Sequence, residues 1–389
     1  MATENPLHKW FPATARPLII SAPMFTVANG ALAAAVTKAG GLGMVPAGMD
    51  PTAASPHLAA LDEQLTMASQ MLHDGTSIKS ASETADDVAP PLQVGVGFLT
   101  LLATPEAYRA NALPILRRHR PAFVWLFGSD PAEYGPLIAL FRDAGAGWGI
   151  KVFVQVGTVE AARQVVRAGA DVVVAQGSDA GGHQFAAAAS VVALVPEIVD
   201  ALRNEAEFRD REVGMVAAGG VVDGRGVAAA LALGADAVAM GTRFMACPEA
   251  DSNSFVRNAI LNTNDGGATT VRYVCSTDPA TRPSPLIKQK LNMIRSPLND
   301  AIMGYPTWSK LYAGRTVIHS GLQDIEHGIP IEQVHESFKK AMAEGDETRM
   351  ITFSGAGVGL VRSSKPAGEV VQDVRAEALA VIAKLKGNI

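Results

Sequence analysis

A single histidine follows a glycine pair in the stretch of the sequence whose residue types best suit chemistry. Residues 171–185 read D-V-V-V-A-Q-G-S-D-A-G-G-H-Q-F. The apolar run 172–175 predicts a buried strand, and Gly181 and Gly182 behind it let the backbone approach a ligand closely. His183 then lies where its imidazole, a group that exchanges protons near neutral pH, could face that ligand. Taken alone, the same residues also suit a tight turn followed by a solvated histidine.

Two later loops favour a bound ligand that carries a phosphate group. The predicted seventh strand ends in Ala217-Ala218-Gly219-Gly220, and the predicted eighth strand ends in Met240-Gly241-Thr242-Arg243. Glycine-rich loops after strands seven and eight of a barrel commonly bind phosphate through backbone N–H groups, and Thr242 adds a hydroxyl. The first loop alone would suit a tight turn equally well. Two such loops at the two expected places predict phosphate binding.

Other predicted strand ends carry uncharged residues that suit the edge of a flat heterocycle. They are Pro23 and Met24 after the first strand, Gly97 at the end of the third, Gln155 at the end of the fifth and Gln176 at the end of the sixth. No His, Cys, Asp or Glu cluster has the spacing of a metal site, so we predict no metal. Residues 355–359 lack the strand, glycine and helix order of a dinucleotide-binding fingerprint, so we expect no dedicated NAD(P) domain.

The elements that position these residues alternate regularly between strand and helix. Predicted strands cover residues 18–22, 42–45, 92–98, 122–127, 151–156, 172–176, 214–218 and 237–240, and predicted helices cover 28–39, 55–72, 105–118, 131–144, 159–168, 191–203 and 224–233. Eight strands that alternate with helices over about 230 residues predict an α/β chain folded as a (β/α)8 TIM barrel. A doubly wound open sheet is the alternative. The segment Gly-Ala-Asp precedes both the sixth and the eighth strand, which favours a repeated architecture.

The regular alternation stops after the eighth strand. We predict a barrel domain over residues 1–248, a helical subdomain over 249–350 inserted near the active site, and a C-terminal segment with a helix over 351–389 that packs back on the barrel. The predicted helices of the last two parts are 253–262, 284–294, 331–343 and 367–386. An insertion after the eighth strand lies at the face of a barrel where active sites form.

Composition excludes several classes of partner. Apolar residues make up 48% of the 389 residues and charged residues 18%, and the formal net charge is −5, which gives no reason to expect nucleic acid or anionic lipid. Only Cys247 and Cys275 are present, so a disulfide framework is excluded and a reducing, cytoplasmic location fits. Residues 17–37 carry no charge, but Pro23 and Asn29 divide them into a strand and a helix, so we expect no membrane span.

Four motifs together resemble the nitronate monooxygenase family, formerly called 2-nitropropane dioxygenases. They are Ala22-Pro23-Met24, the Q-G-S-D-A-G-G-H run at 176–183, the A-G-G-V-V-D-G-R-G run at 218–226, and Gly234-Ala235-Asp236 with the following M-G-T-R-F run at 240–244. The similarity runs in order from about residue 19 to 244, and residues 357–366 look like the closing segment of the family. This resemblance implies a TIM barrel that binds FMN without a covalent link. It also implies oxidation of alkyl nitronates, with neutral nitroalkanes as further candidates, by O2 to carbonyl compounds and nitrite.

The resemblance also implies a role for each matching residue. His183 would be the catalytic residue. The isoalloxazine would be lined by Ala22, Pro23 and Met24, its polar edges would face Gln155 and Gln176, and the ribityl chain and phosphate would contact Gly181, Gly182, Gly219, Gly220, Gly241 and Thr242, with Ala218 and Met240 beside them.

Other functions on the same fold stay open at this point. A flavin-dependent enoyl-acyl-carrier-protein reductase, or another NAD(P)H-dependent flavin reductase, shares most of these motifs. A sugar-phosphate isomerase and a non-enzymatic flavin carrier are further alternatives. A chemistry like that of inosine monophosphate dehydrogenase is disfavoured because the loop after the sixth strand has no cysteine nucleophile. The sequence leaves the physiological substrate and the oligomeric state open, with a homodimer among the candidates.

Overall fold

Eight parallel strands close into a barrel in the computed structural model, which describes residues 5–73, 90–102, 104–274, 308–309 and 311–388. The strands of the described residues are β1 (Leu18–Ser21), β2 (Gly43–Pro46), β3 (Leu92–Leu99), β4 (Pro121–Phe127), β5 (Lys151–Val156), β6 (Val172–Gln176), β7 (Gly182–Phe185), β8 (Gly214–Ala218), β9 (Ala237–Met240), β10 (Thr270–Val274) and β11 (Tyr312–Val317). The barrel has the order β1-β9-β8-β6-β5-β4-β3-β2, and all paired neighbours are parallel.

The two ends of this sheet meet next to β2. The N–H of Ser21 donates to the carbonyl of Leu42 at 3.0 Å, and the N–H of Leu42 donates to the carbonyl of Ile19 at 3.0 Å. These bonds join β1 to the residue before β2 and bring the sheet into a nearly closed ring. The predicted (β/α)8 barrel is therefore confirmed, and the open doubly wound sheet is excluded.

Helices follow the barrel strands and cover them from outside. The helices of the described residues are α1 (Pro6–Trp10), α2 (Gly30–Lys38), α3 (Pro56–Leu72), α4 (Pro105–Ala107), α5 (Leu113–His119), α6 (Gly135–Ala144), α7 (Val159–Arg167), α8 (Val191–Asn204), α9 (Gly224–Ala232), α10 (Thr242–Met245), α11 (Ser254–Asn262), α12 (Gly266–Thr269), α13 (Ser320–Glu326), α14 (Ile331–Glu344) and α15 (Ala367–Gly387). A π-helical turn, Tyr108–Ala112, joins α4 to α5. Polar side chains accept from the first helical N–H groups, as Asn29 does for α2 and Thr158 for α7.

Alternation along the strands divides the apolar residues between two cores. Phe123 and Trp125 of β4 point into the barrel, whereas Val124 between them packs against the outer helices. The amino end of the barrel is closed by α1, which the sequence analysis did not predict. Phe11, just after α1, makes edge contacts with Phe123 at 5.7 Å and Phe153 at 6.1 Å between ring centroids.

The repeated Gly-Ala-Asp segment has the same structural role in both places. The carboxylate of Asp171 accepts from the N–H of Val152 at 2.9 Å, and the carboxylate of Asp236 accepts from the N–H of Met215 at 2.8 Å. Each aspartate precedes a strand and satisfies a backbone donor at the start of the neighbouring strand. The repeat in the sequence therefore reflects a repeated strand-to-strand bond.

The segment after the barrel contains strands as well as helices. The predicted helices at 253–262 and 331–343 are present as α11 and α14, and the predicted closing helix is α15; the predicted helix at 284–294 lies outside the described residues. Two strands that were not predicted from the sequence, β10 and β11, form an antiparallel sheet with β7 in the order β10-β11-β7. The inserted segment thus pairs directly with the loop that carries His183. Its predicted boundaries at 248 and 350 stay predictions.

The C-terminal helix α15 packs on α9 and α2. Glu377 accepts from the N–H of Gly224 at 2.7 Å, and Arg375 donates to the carbonyls of Ala39 and Gly40 at 3.0 and 3.1 Å. None of the helices in the described ranges is both long enough and apolar enough to span a membrane.

The bond of Asp236 to the neighbouring strand yields a stability prediction. Burial raises the pKa of this carboxyl, so a neutral amide of the same shape is a mild change. Asp236→Ala removes the acceptor of the Met215 N–H and should lower the free energy of unfolding by about 1–3 kcal/mol. Asp236→Asn keeps an acceptor oxygen, and its free energy of unfolding should fall clearly less than that of Asp236→Ala. Urea denaturation of both variants tests this, and equal losses would contradict the assigned bond.

Candidate active site

A cavity of about 350 Å³ opens at the carboxyl ends of the barrel strands. Every predicted site residue except Met240 lines it: Ala22, Pro23, Met24, Gln155, Gln176, Gly181, Gly182, His183, Ala218, Gly219, Gly220, Gly241 and Thr242. The side chain of Met240 is fully buried in the outer core, and its carbonyl accepts from the N–H of Ala22 at 2.9 Å. The structure therefore brings the loops after β1, β5, β6, β8 and β9 to one place.

Free backbone donors face this cavity from the loops after β8 and β9. Gly219 has a φ of +109°, a left-handed conformation that favours glycine. A Cβ atom there would also lie 2.9 Å from the carbonyl oxygen of Gly177. Among the described residues, the N–H groups of Gly219, Gly220, Gly241 and Thr242 donate no hydrogen bond within the chain. Unpaired N–H groups that lie close together at the wall of a cavity are suited to bind an anion.

A segment close to the C-terminus crosses these loops and forms part of the wall. The N–H of Gly355 donates to the hydroxyl of Thr242 at 3.0 Å, and the N–H of Ala356 donates to the carbonyl of Asp179 at 2.9 Å. Gly181 allows this close approach, because a Cβ atom there would lie 2.4 Å from Gly355 N. Gly355 and Gly357 line the cavity, which the sequence analysis did not predict.

The two predicted amide side chains are buried, and each is held by one hydrogen bond. Gln155 accepts from the indole N–H of Trp125 at 2.9 Å. Gln176 donates to the carbonyl of His183 at 3.0 Å, while its own Oε1 is buried without a hydrogen-bond partner. A buried acceptor without a donor is costly unless a ligand supplies one. Gln176 therefore suits a ligand with a ring N–H group.

His183 lies on β7, opposite Gly314 of β11. Its imidazole stacks on the indole of Trp308, with 4.0 Å between ring centroids and 11° between ring planes. Phe353 also contacts the imidazole, at 5.6 Å and 39°. Trp308 and Phe353 line the cavity, but neither was predicted, since neither belongs to a motif or to a predicted strand end.

The remaining cavity wall is mainly apolar. Of the described residues that line it, Asp251 is the one with a carboxylate and none is a lysine or arginine. No group of three or more His, Cys, Asp and Glu side chains in the described ranges could hold a metal ion. Cys247 is buried outside the cavity, and burial raises the pKa of its thiol to about 12, which disfavours the nucleophilic thiolate at neutral pH.

Comparison with known proteins identifies the family. The sequence profile of the nitronate monooxygenases matches residues 142–377. A nitronate monooxygenase of Neurospora crassa is 42% identical to this chain, over 99% of the chain and 95% of that protein. The chain belongs to the nitronate monooxygenase family.

One further relative and one solved structure agree with this assignment. The nitronate monooxygenase npaC of Metarhizium robertsii is 33% identical over 99% of this chain and 98% of its own length. The nitroalkane oxidase from Streptomyces ansochromogenes superposes with a TM-score of 0.66 at 25% identity, over 97% of this chain and 99% of that one. FabK from Thermotoga maritima has the same fold, with a TM-score of 0.67 at 24% identity over the whole of both chains.

The hydroxyl of Thr242 provides a test of how the cavity is closed. Thr242→Val removes the acceptor of the Gly355 N–H and should lower the free energy of unfolding by about 1–3 kcal/mol. Thr242→Ser keeps the oxygen and should lose less than about 1 kcal/mol, the contribution of one buried methyl group. Urea denaturation of identically prepared variants measures both losses. If the valine variant is as stable as the serine variant, this bond does not hold the closing segment.

Proposed function

We propose that this protein binds FMN without a covalent link and uses it to oxidise alkyl nitronates with O2 to aldehydes or ketones and nitrite. The observation that carries the proposal is that His183 faces the same cavity as the free N–H groups of the loops after β8 and β9. Family membership supports the reaction, because relatives of this chain bear the names nitronate monooxygenase and nitroalkane oxidase.

The unpaired polar groups of the cavity suit the polar groups of FMN. The unpaired N–H groups of Gly219, Gly220, Gly241 and Thr242 suit a phosphate, and the unpartnered Oε1 of Gln176 suits the ring N–H of a flavin. The other residues that we assign to FMN are Ala22, Pro23 and Met24 beside the ring, Gln155 at a polar edge, and Gly181, Gly182 and Ala218 along the ribityl chain. Met240 is not assigned to FMN, because its side chain lies in the outer core. Bound FMN supplies electron transfer between an organic substrate and O2.

His183 has one role for each form of the substrate. The carbon next to a nitro group is weakly acidic, and a neutral imidazole can remove its proton. The resulting nitronate is an anion, and an imidazolium can hold it by a charge-assisted hydrogen bond. Since no lysine or arginine is among the described lining residues, this cation is the main local source of positive charge for the anion.

The overall reaction breaks the C–N bond of the nitronate and places an oxygen atom of O2 on its carbon. When no other reductant is supplied, two nitronates and one O2 balance to two carbonyl compounds and two nitrite ions. The apolar wall excludes bulk water from the reacting carbon and suits an alkyl substituent. The chain therefore supplies orientation, proton exchange and a partly dry cavity.

Replacing His183 separates its two roles. His183→Asn should keep flavin but lower kcat/KM for neutral nitroalkanes at least about a hundredfold, the usual contribution of a general base. Preformed nitronates need no deprotonation, and loss of a charge-assisted hydrogen bond should lower kcat/KM for them about tenfold. Initial rates of O2 consumption and of nitrite release measure both effects.

The control is His327→Asn, which changes an exposed histidine outside the cavity and should leave both rates unaltered. Equal losses on the two substrate classes would remove the base role of His183. An unaltered protein that oxidises neither class, but whose flavin is rapidly bleached by NADPH without oxygen, would instead be a flavin reductase.

A further inference from the structure

The indole of Trp308 covers one face of the His183 imidazole. The two rings are almost parallel, with 4.0 Å between their centroids and 11° between their planes. Trp308 is 3% exposed, and both residues line the same cavity. Trp308 comes from the segment after the barrel, so a side chain that lies outside every motif touches the residue that we assign to catalysis.

Trp308 is itself fixed against the barrel. Its ring contacts Phe127, at the end of β4, with 5.5 Å between centroids, and Tyr312, at the start of β11, at 5.1 Å. The hydroxyl of Tyr312 donates to the carbonyl of Ser129 at 2.6 Å, which ties this cluster to the loop after β4. The indole therefore has little freedom to move, and it can hold the plane of a ring stacked on it.

Stacking orients the imidazole without blocking its chemistry. Both ring nitrogens exchange protons in the plane of the ring, whereas Trp308 lies above that plane. The indole also occupies cavity space beside His183, where the carbon that loses a proton must come. The same side chain thus affects both the direction of the imidazole and the room for substituents on that carbon.

We infer that Trp308 is a positioning residue for His183 and limits the size of the alkyl group that the cavity accepts. This inference rests on the proposed nitronate oxidation. It assigns this chain to short alkyl nitronates, because the buried indole occupies cavity space next to the imidazole. Removing the indole should therefore loosen the orientation of the His183 ring and also admit larger alkyl groups.

The test compares Trp308→Ala and Trp308→Phe with the unaltered holoenzyme on ethylnitronate and hexyl-1-nitronate. Loss of the stacked ring should lower kcat/KM for ethylnitronate about tenfold. Hexyl-1-nitronate gains space in Trp308→Ala, so its kcat/KM should fall less than about threefold. The ratio of kcat/KM for hexyl-1-nitronate to kcat/KM for ethylnitronate should therefore rise. Trp308→Phe restores an aromatic face and should recover most of the rate with ethylnitronate.

A binding measurement without turnover accompanies these rates. Propionate and heptanoate have the charge and planar end of the two nitronates but do not react, and calorimetric titration gives their dissociation constants. Trp308→Ala should shift the preference toward heptanoate by about tenfold. If the unaltered protein fails to oxidise nitronates, the proposed function is wrong, while the two carboxylates still report on the size limit.

The matched control is Trp10→Phe. Trp10 lies at the opposite end of the barrel, where Lys151 Nζ is 4.3 Å from its ring centroid, and its replacement should change neither ratio. Equal losses on short and long nitronates with unchanged carboxylate preference would overturn the inference, as would a Trp308→Ala variant that behaves like Trp10→Phe. If Trp308→Ala does not fold, Trp308→Leu and Trp308→Phe are judged by the same two ratios.

Discussion

The antiparallel pairing of β7 with β11 is the interaction on which the site depends. It joins the loop after β6 to a strand more than a hundred residues later, with Gly182 opposite Arg315 and His183 opposite Gly314. Arg272 of β10 strengthens the join by donating to the carbonyls of Phe185 and Ala186 at 2.7 and 2.6 Å. This pairing fixes the height of the imidazole above the barrel, together with the hydrogen bond from Gln176 to the carbonyl of His183.

The barrel and the later segment contribute different things to the cavity. The carboxyl ends of the barrel strands meet at one edge, because parallel strands in a ring all end on the same side. At this edge the barrel supplies unpaired N–H groups and two buried amide side chains. The later segment supplies β11, Trp308 and Phe353, which cover the imidazole and make the wall apolar. Burial raises the pKa of the Tyr312 phenol, so its O–H remains a donor to the barrel loop. The loops of the barrel therefore suit a flat cofactor that carries a phosphate group. The later segment determines which substrates can approach that cofactor.

The sequence predicted well whatever depends on local pattern. Apolar runs and helix caps mark the alternating strands and helices of the barrel in the sequence. Because parallel strands bring their carboxyl ends together, residues as distant as Pro23 and Thr242 could be placed at one cavity. Met240 is the exception, because alternation along β9 turns its side chain outward into the core. The repeated aspartates could be recognised as a repeat, although their bonds to neighbouring strands could not.

The pairing of strands that are distant in the sequence could not be predicted from local patterns. The strand β7 begins at the second glycine of the pair Gly181-Gly182, and its four residues have no alternating pattern. The Y-A-G-R-T-V run of β11 indicates a strand but not which strand it pairs with. The stack of Trp308 on His183 depends on that pairing, so no spacing in the sequence could reveal it.

The absorption spectrum of the purified protein tests the central claim most directly, namely that this cavity holds a flavin beneath the imidazole. The account predicts flavin bands and, after denaturation and filtration, release of about one FMN per chain, as expected for a cofactor held by backbone N–H groups without a covalent bond. A colourless protein that takes up no FMN when it is supplied would contradict the account.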